Sequence, residues 1–198
     1  MEGVLNILLT GVGGQGIITL GKVIGEVFTR RGVRVLMAET HGMSQRGGSV
    51  VVHVRIGNAN YPLIPMGGAD ALLGLELMET FRYIKYASRK TVIISDSNMI
   101  RPGLPNVEIP SKDDLLNYAS RVGLRVFLID GRRLAEEAGN TLSHNMVMLG
   151  ALAASGVFGH DVGPDDFREV ISRLPMSDIN LRAFQMGYKA LFDVIREV

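Results

Sequence analysis

A chain of 198 residues with 21 basic and 20 acidic side chains, a formal net charge of +1 and 46% apolar residues can build one well-covered core and shows no basic stripe for nucleic acid or an anionic membrane. Cysteine is absent, which excludes disulfides, a thiol nucleophile and an iron–sulfur cluster ligated by this chain's own cysteines. No basic leader precedes the first short apolar run, and the longest one, Met146 to Ala154, is far too short to span a bilayer, so a single cytoplasmic domain over residues 1–198 is expected.

Val4 to Thr10 is a short β-branched run ending in glycines and reads as a buried strand. From Gly16 to Arg31 apolar residues recur at helical spacing (Ile17, Leu20, Val23, Ile24, Val27, Phe28), and Gly32 ends that helix. Val33 to Ala38 is a second buried strand, a polar loop starts at Glu39, and Ser49 to Ile56 is a third strand. Asn58 to Gly68 is loop. Ala69 to Leu75 reads as a strand, Glu76 to Ser88 as a helix, and Thr91 to Ser95 as a strand ending at Asp96. Pro102 to Pro110 is irregular. Ser111 followed by Asp113 and Asp114 opens a helix, because serine caps and acidic side chains suit the positive helix end. Arg125 to Ile129 is a strand ending at Asp130. Helices follow over Thr141 to Ser155, Asp165 to Leu174 and Ile179 to Val198, the last with one apolar stripe through Leu181, Phe184, Tyr188, Leu191 and Ile195.

Strands alternating with helices predict an α/β, Rossmann-like three-layer fold: a mostly parallel sheet covered by helices on both faces. In such sheets ligands gather outside the carboxyl ends of the strands. The loops beginning at Gly11, Glu39, Asp96 and Asp130 each follow a strand, so parallel strands would put all four on one rim.

Two of these loops are built for polar contact. Gly11-x-Gly13-x-x-Gly16, with Gly14 and Gln15 between, follows a strand and opens a helix, the context of a phosphate-binding turn. Glu39, at the end of the second strand, stands where an acidic residue meets a ribose hydroxyl in a dinucleotide site. The bland reading is a glycine turn for tight strand–helix packing, and both stand on the pattern alone. Gln15 at the loop's mouth tilts against an ordinary dinucleotide site. The second loop, from Glu39, Thr40 and His41 through Gln45, Arg46, Gly47 and Gly48 to Ser49, gathers donors around close-approach glycines. Arg46 can clamp a carboxylate or phosphate with two hydrogen bonds, or pair structurally with Glu39; the first reading is preferred. His41 is the weaker candidate, for acid–base work or anion contact. His53 reads as a core residue, and Asp96 and Asp130 as caps of following turns. The four histidines (His41, His53, His144, His160) are scattered, so no metal site is expected. The helix from Asn145 to Ala154 is apolar on nearly every face: it packs on the sheet or forms a subunit interface, a homodimer of the isolated chain staying open, and Asn145 is placed to bond a nearby loop. No Walker loop, Tyr-x-x-x-Lys pair or nucleophile elbow occurs.

Gly11-Val-Gly-Gly-Gln-Gly16 together with Glu39-Thr-His-Gly-Met-Ser-Gln-Arg-Gly-Gly-Ser49 resembles the gamma-type component of 2-oxoacid:ferredoxin oxidoreductases. Pro62-Leu-Ile-Pro65, Ala69 to Glu76 and Asn145 to Ala154 also fit the pattern, so the resemblance covers essentially the whole chain and sits nearest the indolepyruvate branch. It implies a gamma-type catalytic domain in an enzyme that decarboxylates an aryl 2-oxoacid on thiamine diphosphate, passes electrons through iron–sulfur clusters to ferredoxin, and gives the acyl group to coenzyme A. This chain has neither the family's thiamine signature nor any cysteine, so the resemblance implies a larger partner subunit carrying the thiamine and the clusters. The chain would then be accessory, binding no cofactor firmly and inactive alone. A reading of a different class is a stand-alone dinucleotide-binding dehydrogenase or nucleotide-binding regulatory module. A third is a pure scaffold.

Overall fold

The computed structural model describes residues 3–42, 47–100 and 108–196. The first apolar run forms β1 (Val4–Val12), and the glycine turn after it opens α1 (Ile17–Arg30), whose buried face is the predicted 3.6-residue stripe. β2 (Val35–His41) and β3 (Ser49–Gly57) follow as a hairpin. The chain continues through β4 (Ala71–Gly74), α2 (Leu77–Arg82), β5 (Val92–Asp96), α3 (Lys112–Arg121), β6 (Val126–Ile129), α4 (Gly131–Ala138), α5 (His144–Ala154), α6 (Pro164–Ile171) and α7 (Ser177–Arg196). Ser111 and Asp114 form the capping box that starts α3, as their spacing predicts.

The six strands lie in the order β2-β3-β1-β4-β5-β6. β4, β5 and β6 run parallel to β1, whereas β3 is antiparallel to both β1 and β2. Reversing twice makes β2 parallel to β1, so five strands share one direction and the sheet is mostly parallel. The step from β1 to β2 crosses the sheet one way, and the steps from β4 to β5 and β6 go the other way. Right-handed crossovers therefore put α1 on one face and α2 and α3 on the opposite one. The packing agrees. Ile7 and Leu9 of β1 join α1, α5, α6 and α7 in the main core, while Leu8 joins Leu72, Ile93 and Ile64 under Tyr83 and Tyr86. Among the described residues no helix is long and apolar enough to cross a membrane.

Several boundaries differ from the sequence reading. Glu39, Thr40 and His41 belong to β2, paired with Val52, Val51 and Val50, so the polar loop starts only at Gly42. The ladder to β3 outweighs the poor strand preference of these polar residues. The helix expected over Glu76 to Ser88 ends at Arg82 and resumes as a 3-10 turn, Ile84–Tyr86. α4 was not anticipated. The helix expected from Thr141 opens as a 3-10 turn, Thr141–Ser143, because the Asn140 side chain accepts from the Leu142 amide. Of the irregular stretch Pro102 to Pro110, residues 102–107 lie outside the described residues.

α5 is buried along Asn145 to Leu152 within its own chain, which removes the subunit-interface reading of that helix. It packs on α7 at glycine contacts: a Cβ on Gly150 would sit 1.9 Å from the Phe184 carbonyl oxygen, and one on Gly187 1.8 Å from that of Val147.

Candidate functional site

Parallel strands bring their carboxyl ends to one rim, as chain direction predicts. Connections diverge on either side of β1, and there, between the exits of β1 and β4, lies a cavity of about 410 Å³. The glycine loop, Glu76 after β4, Asp96 at the end of β5 and Asn98 just beyond it, Arg132 on α4 and His144 on α5 line it.

The glycine loop is held from inside. The Gln15 side chain accepts from the Val12 amide (2.7 Å) and donates to the Leu75 carbonyl (3.0 Å), tying the turn to the exit of β4. Both ends of the Gln15 amide are thereby engaged within the chain. A Cβ on Gly11 would meet Gln15 Oε1 at 2.6 Å, so glycine makes room for this strut. Gly16 has φ +79° and faces Asn145, whose Nδ2 would lie 2.4 Å from a Cβ there; Asn145 instead donates to the Gly16 carbonyl at 3.3 Å, the loop contact expected of it. Above Gly14 (φ +100°) the space is open. The Gly13 amide donates to the Gly48 carbonyl (2.8 Å) and so joins this loop to the second one.

The second loop is pinned at both feet. The Gly42 amide donates to the Ser49 carbonyl (2.9 Å). Ser49 Oγ donates to the buried Glu79 carboxylate (2.5 Å) and lies 3.0 Å from the Tyr83 hydroxyl, while Arg82 donates to the other Glu79 oxygen (3.1 Å). Ser49 is thus an anchor between the loop and α2. Gly47 takes φ +75°. Glu39 and Thr40 are exposed on β2. Gln45 and Arg46 lie outside the described residues, and His41 is placed by its backbone in β2.

Two buried carboxyls on the rim went unrecognised as site residues. Glu76 caps α2: one oxygen accepts from the Glu79 amide and the other from the Ile100 amide, both at 2.7 Å. Burial pushes its pKa up, further helped by Glu79, and the amide bonds only partly offset this. Asp96 is fully buried. It accepts from the Asn98 amide (2.6 Å) and side chain (2.8 Å) and from His144 Nε2 (2.5 Å). Burial alone would raise its pKa, but His144 and Asn98 together outweigh that and hold the carboxyl below its ordinary value. Asp96 is therefore the turn cap that was expected and also one half of an Asp–His pair, while Asp130 caps α4 through the Arg133 amide. His144 and Asp96 stand 48 positions apart, and only the strand-end rule placed Asp96 on the rim. His53 is a core residue: its Nδ1 accepts from the Ile64 amide (3.2 Å), its ring meets Tyr86 edge-on, and burial lowers its pKa.

The dinucleotide reading loses its geometry here. An acidic residue reaching the ribose stands on the strand beside β1, but β3 occupies that place. Glu39 lies across Val52 from Leu9, two strand spacings or about 10 Å from β1. Iron–sulfur ligation does not fit a chain without cysteine. Among the described residues no group of three His, Cys, Asp or Glu side chains is arranged to hold a metal ion.

The profile of the pyruvate ferredoxin/flavodoxin oxidoreductase family matches residues 6–190. The chain is 41% identical to the indolepyruvate oxidoreductase subunit IorB of Archaeoglobus fulgidus over 93% of this chain and 94% of the relative. The gamma subunit of a keto/oxoacid ferredoxin oxidoreductase from Geobacter sulfurreducens shares the fold, with a TM-score of 0.71, 24% identity, and coverage of 96% and 99% of the two chains. A chain of the 2-oxoglutarate:ferredoxin oxidoreductase of Magnetococcus marinus, solved with 2-oxoglutarate, coenzyme A and succinyl-CoA bound, matches with a TM-score of 0.69 and 25% identity over 98% of this chain, which corresponds to 32% of that longer one.

Proposed function

We propose that this chain, which belongs to the pyruvate ferredoxin/flavodoxin oxidoreductase family and is an accessory subunit of a 2-oxoacid:ferredoxin oxidoreductase, serves the oxidative decarboxylation of indolepyruvate or another aryl 2-oxoacid to the acyl-CoA. The aryl substrate is supported by the Archaeoglobus fulgidus relative. Thiamine diphosphate, the clusters and the ferredoxin contact belong to a larger partner subunit, and the complex works in the cytoplasm. The observation that carries this division of labour is the absence of cysteine from a chain whose family chemistry needs clusters. The length of the Magnetococcus marinus chain supports it too, since there the matching segment continues into about twice as much further polypeptide.

In this reading the rim from Thr40 to Ser49 borders the partner's coenzyme A or oxoacid channel, and Arg46 neutralises an anionic group there. A hydrogen bond to a charged group contributes about 1.5–3 kcal/mol, so Arg46→Ala in the assembled enzyme should raise the KM for coenzyme A or the oxoacid about tenfold or more. Subunit assembly should be intact by size-exclusion chromatography. Unchanged kinetics in the assembled variant would remove Arg46 from the channel.

A further inference from the structure

The cavity between the exits of β1 and β4 carries more than the architecture needs. Its volume of about 410 Å³ falls within the range of small-molecule sites. The hydrogen-bonding capacity of its walls is unevenly used. Both Glu76 oxygens are taken by backbone amides, and both Asp96 oxygens by Asn98 and His144. The Gln15 amide is spent on Val12 and Leu75. Asn145 gives its NH₂ to Gly16 and its oxygen to the Met146 amide. The acceptors of Glu76, Asp96, Gln15 and Asn145 are therefore committed.

Donors are not. His144 lines the cavity with Nε2 fixed on Asp96, and Nδ1 has no partner among the described residues. Nδ1 donates as well as Nε2 when the ring carries a proton on each nitrogen. Arg132 has one loose ion pair, Nε to Glu136 at 3.7 Å, with both side chains largely exposed. The Thr19 hydroxyl has no hydrogen bond among the described residues. From this imbalance we propose that the cavity is a binding site for a small oxyanion, a phosphate ester or a carboxylate, held by His144, Arg132 and Thr19, with Asp96 positioning the His144 ring. The Arg132 guanidinium on α4 and the His144 ring on α5 stand on different helices and can reach two oxygens of one such group, as a carboxylate or phosphate requires.

The site belongs to this chain alone, so its failure would leave the subunit assignment untouched. The test is NMR titration of the full chain, reading the His144 ring and Thr19 amide signals, with inorganic phosphate in one arm and indolepyruvate in the other. Saturable shifts in the phosphate arm alone identify a phosphate ester as the natural group; shifts in the indolepyruvate arm alone identify a carboxylate. Arg132→Ala, at an exposed side chain that leaves the core intact, should weaken the responding arm about tenfold, the loss expected for one charge-assisted contact. His144→Gln should do the same. Absence of a saturable shift in both arms, or undiminished binding in Arg132→Ala, overturns the proposal.

Discussion

Gly187→Ala should lower the unfolding free energy by about 3 kcal/mol or more, the upper end of overpacking costs. The added methyl group would lie 1.8 Å from the Val147 carbonyl oxygen and 2.6 Å from its carbon. No side chain can swing aside, because the obstacle is helix backbone. Gly150 makes the reciprocal contact with Phe184, so α5 and α7 approach through two glycines and can accept a methyl only by moving apart. Such movement also reaches the rim, because the first turn of α5 carries His144 and Asn145, the partners of Asp96 and Gly16. Urea denaturation of the full chain measures the loss. A variant within about 0.5 kcal/mol of the parent, the range of ordinary surface substitutions, would show that the two helices are not in backbone contact.

Asp96→Ala should cost about 3 kcal/mol at neutral pH, since removing one partner of a buried pair strands the other and leaves the Asn98 amide unsatisfied. The loss should depend on pH with a definite sign. The folded-state pKa of Asp96 lies below its unfolded value, which is about 3.9. The ionised carboxylate therefore contributes stability that is fully present above that unfolded value and is lost as pH falls through the folded one. The gap between parent and variant should be full at pH 7 and shrink on acidification below about pH 4. Denaturation curves at the two pH values check this, and a gap that is the same at both would mean that His144 and Asn98 do not favour the ionised form.

What was legible in the sequence is what local periodicity and chain direction determine. The switch from a β-branched run to helical spacing at Gly16 marks β1 and α1, and the stripe from Leu181 to Ile195 marks α7. An α5 apolar on nearly every side marks a packed helix, against the sheet or at an interface, and its burial within the chain selects the first. Strands that each precede a polar loop put those loops on one rim whatever their order. Strand order itself was not legible: nothing in Ser49 to Ile56 tells that this strand returns antiparallel between β1 and β2, and that one insertion separates Glu39 from the glycine loop. α4 was missed because Gly131–Ala138 opens with glycine and carries only Leu134, Ala135 and Ala138 as apolar residues, too few to show a period. The Asp96–His144 pair joins a strand end to a helix start far along the chain, and only the fold brings them together. Gln15 was not legible either, since nothing in the sequence shows that its side chain turns inward to Val12 and Leu75.

Purification of this chain from its native source, followed by assay of the chain alone and of the copurifying assembly, tests the division of labour most directly. The assembly should contain a larger subunit that holds the iron and thiamine and should reduce ferredoxin with an aryl 2-oxoacid and coenzyme A, while the separated 198-residue chain does neither. Oxoacid-dependent ferredoxin reduction by the separated chain would contradict the account.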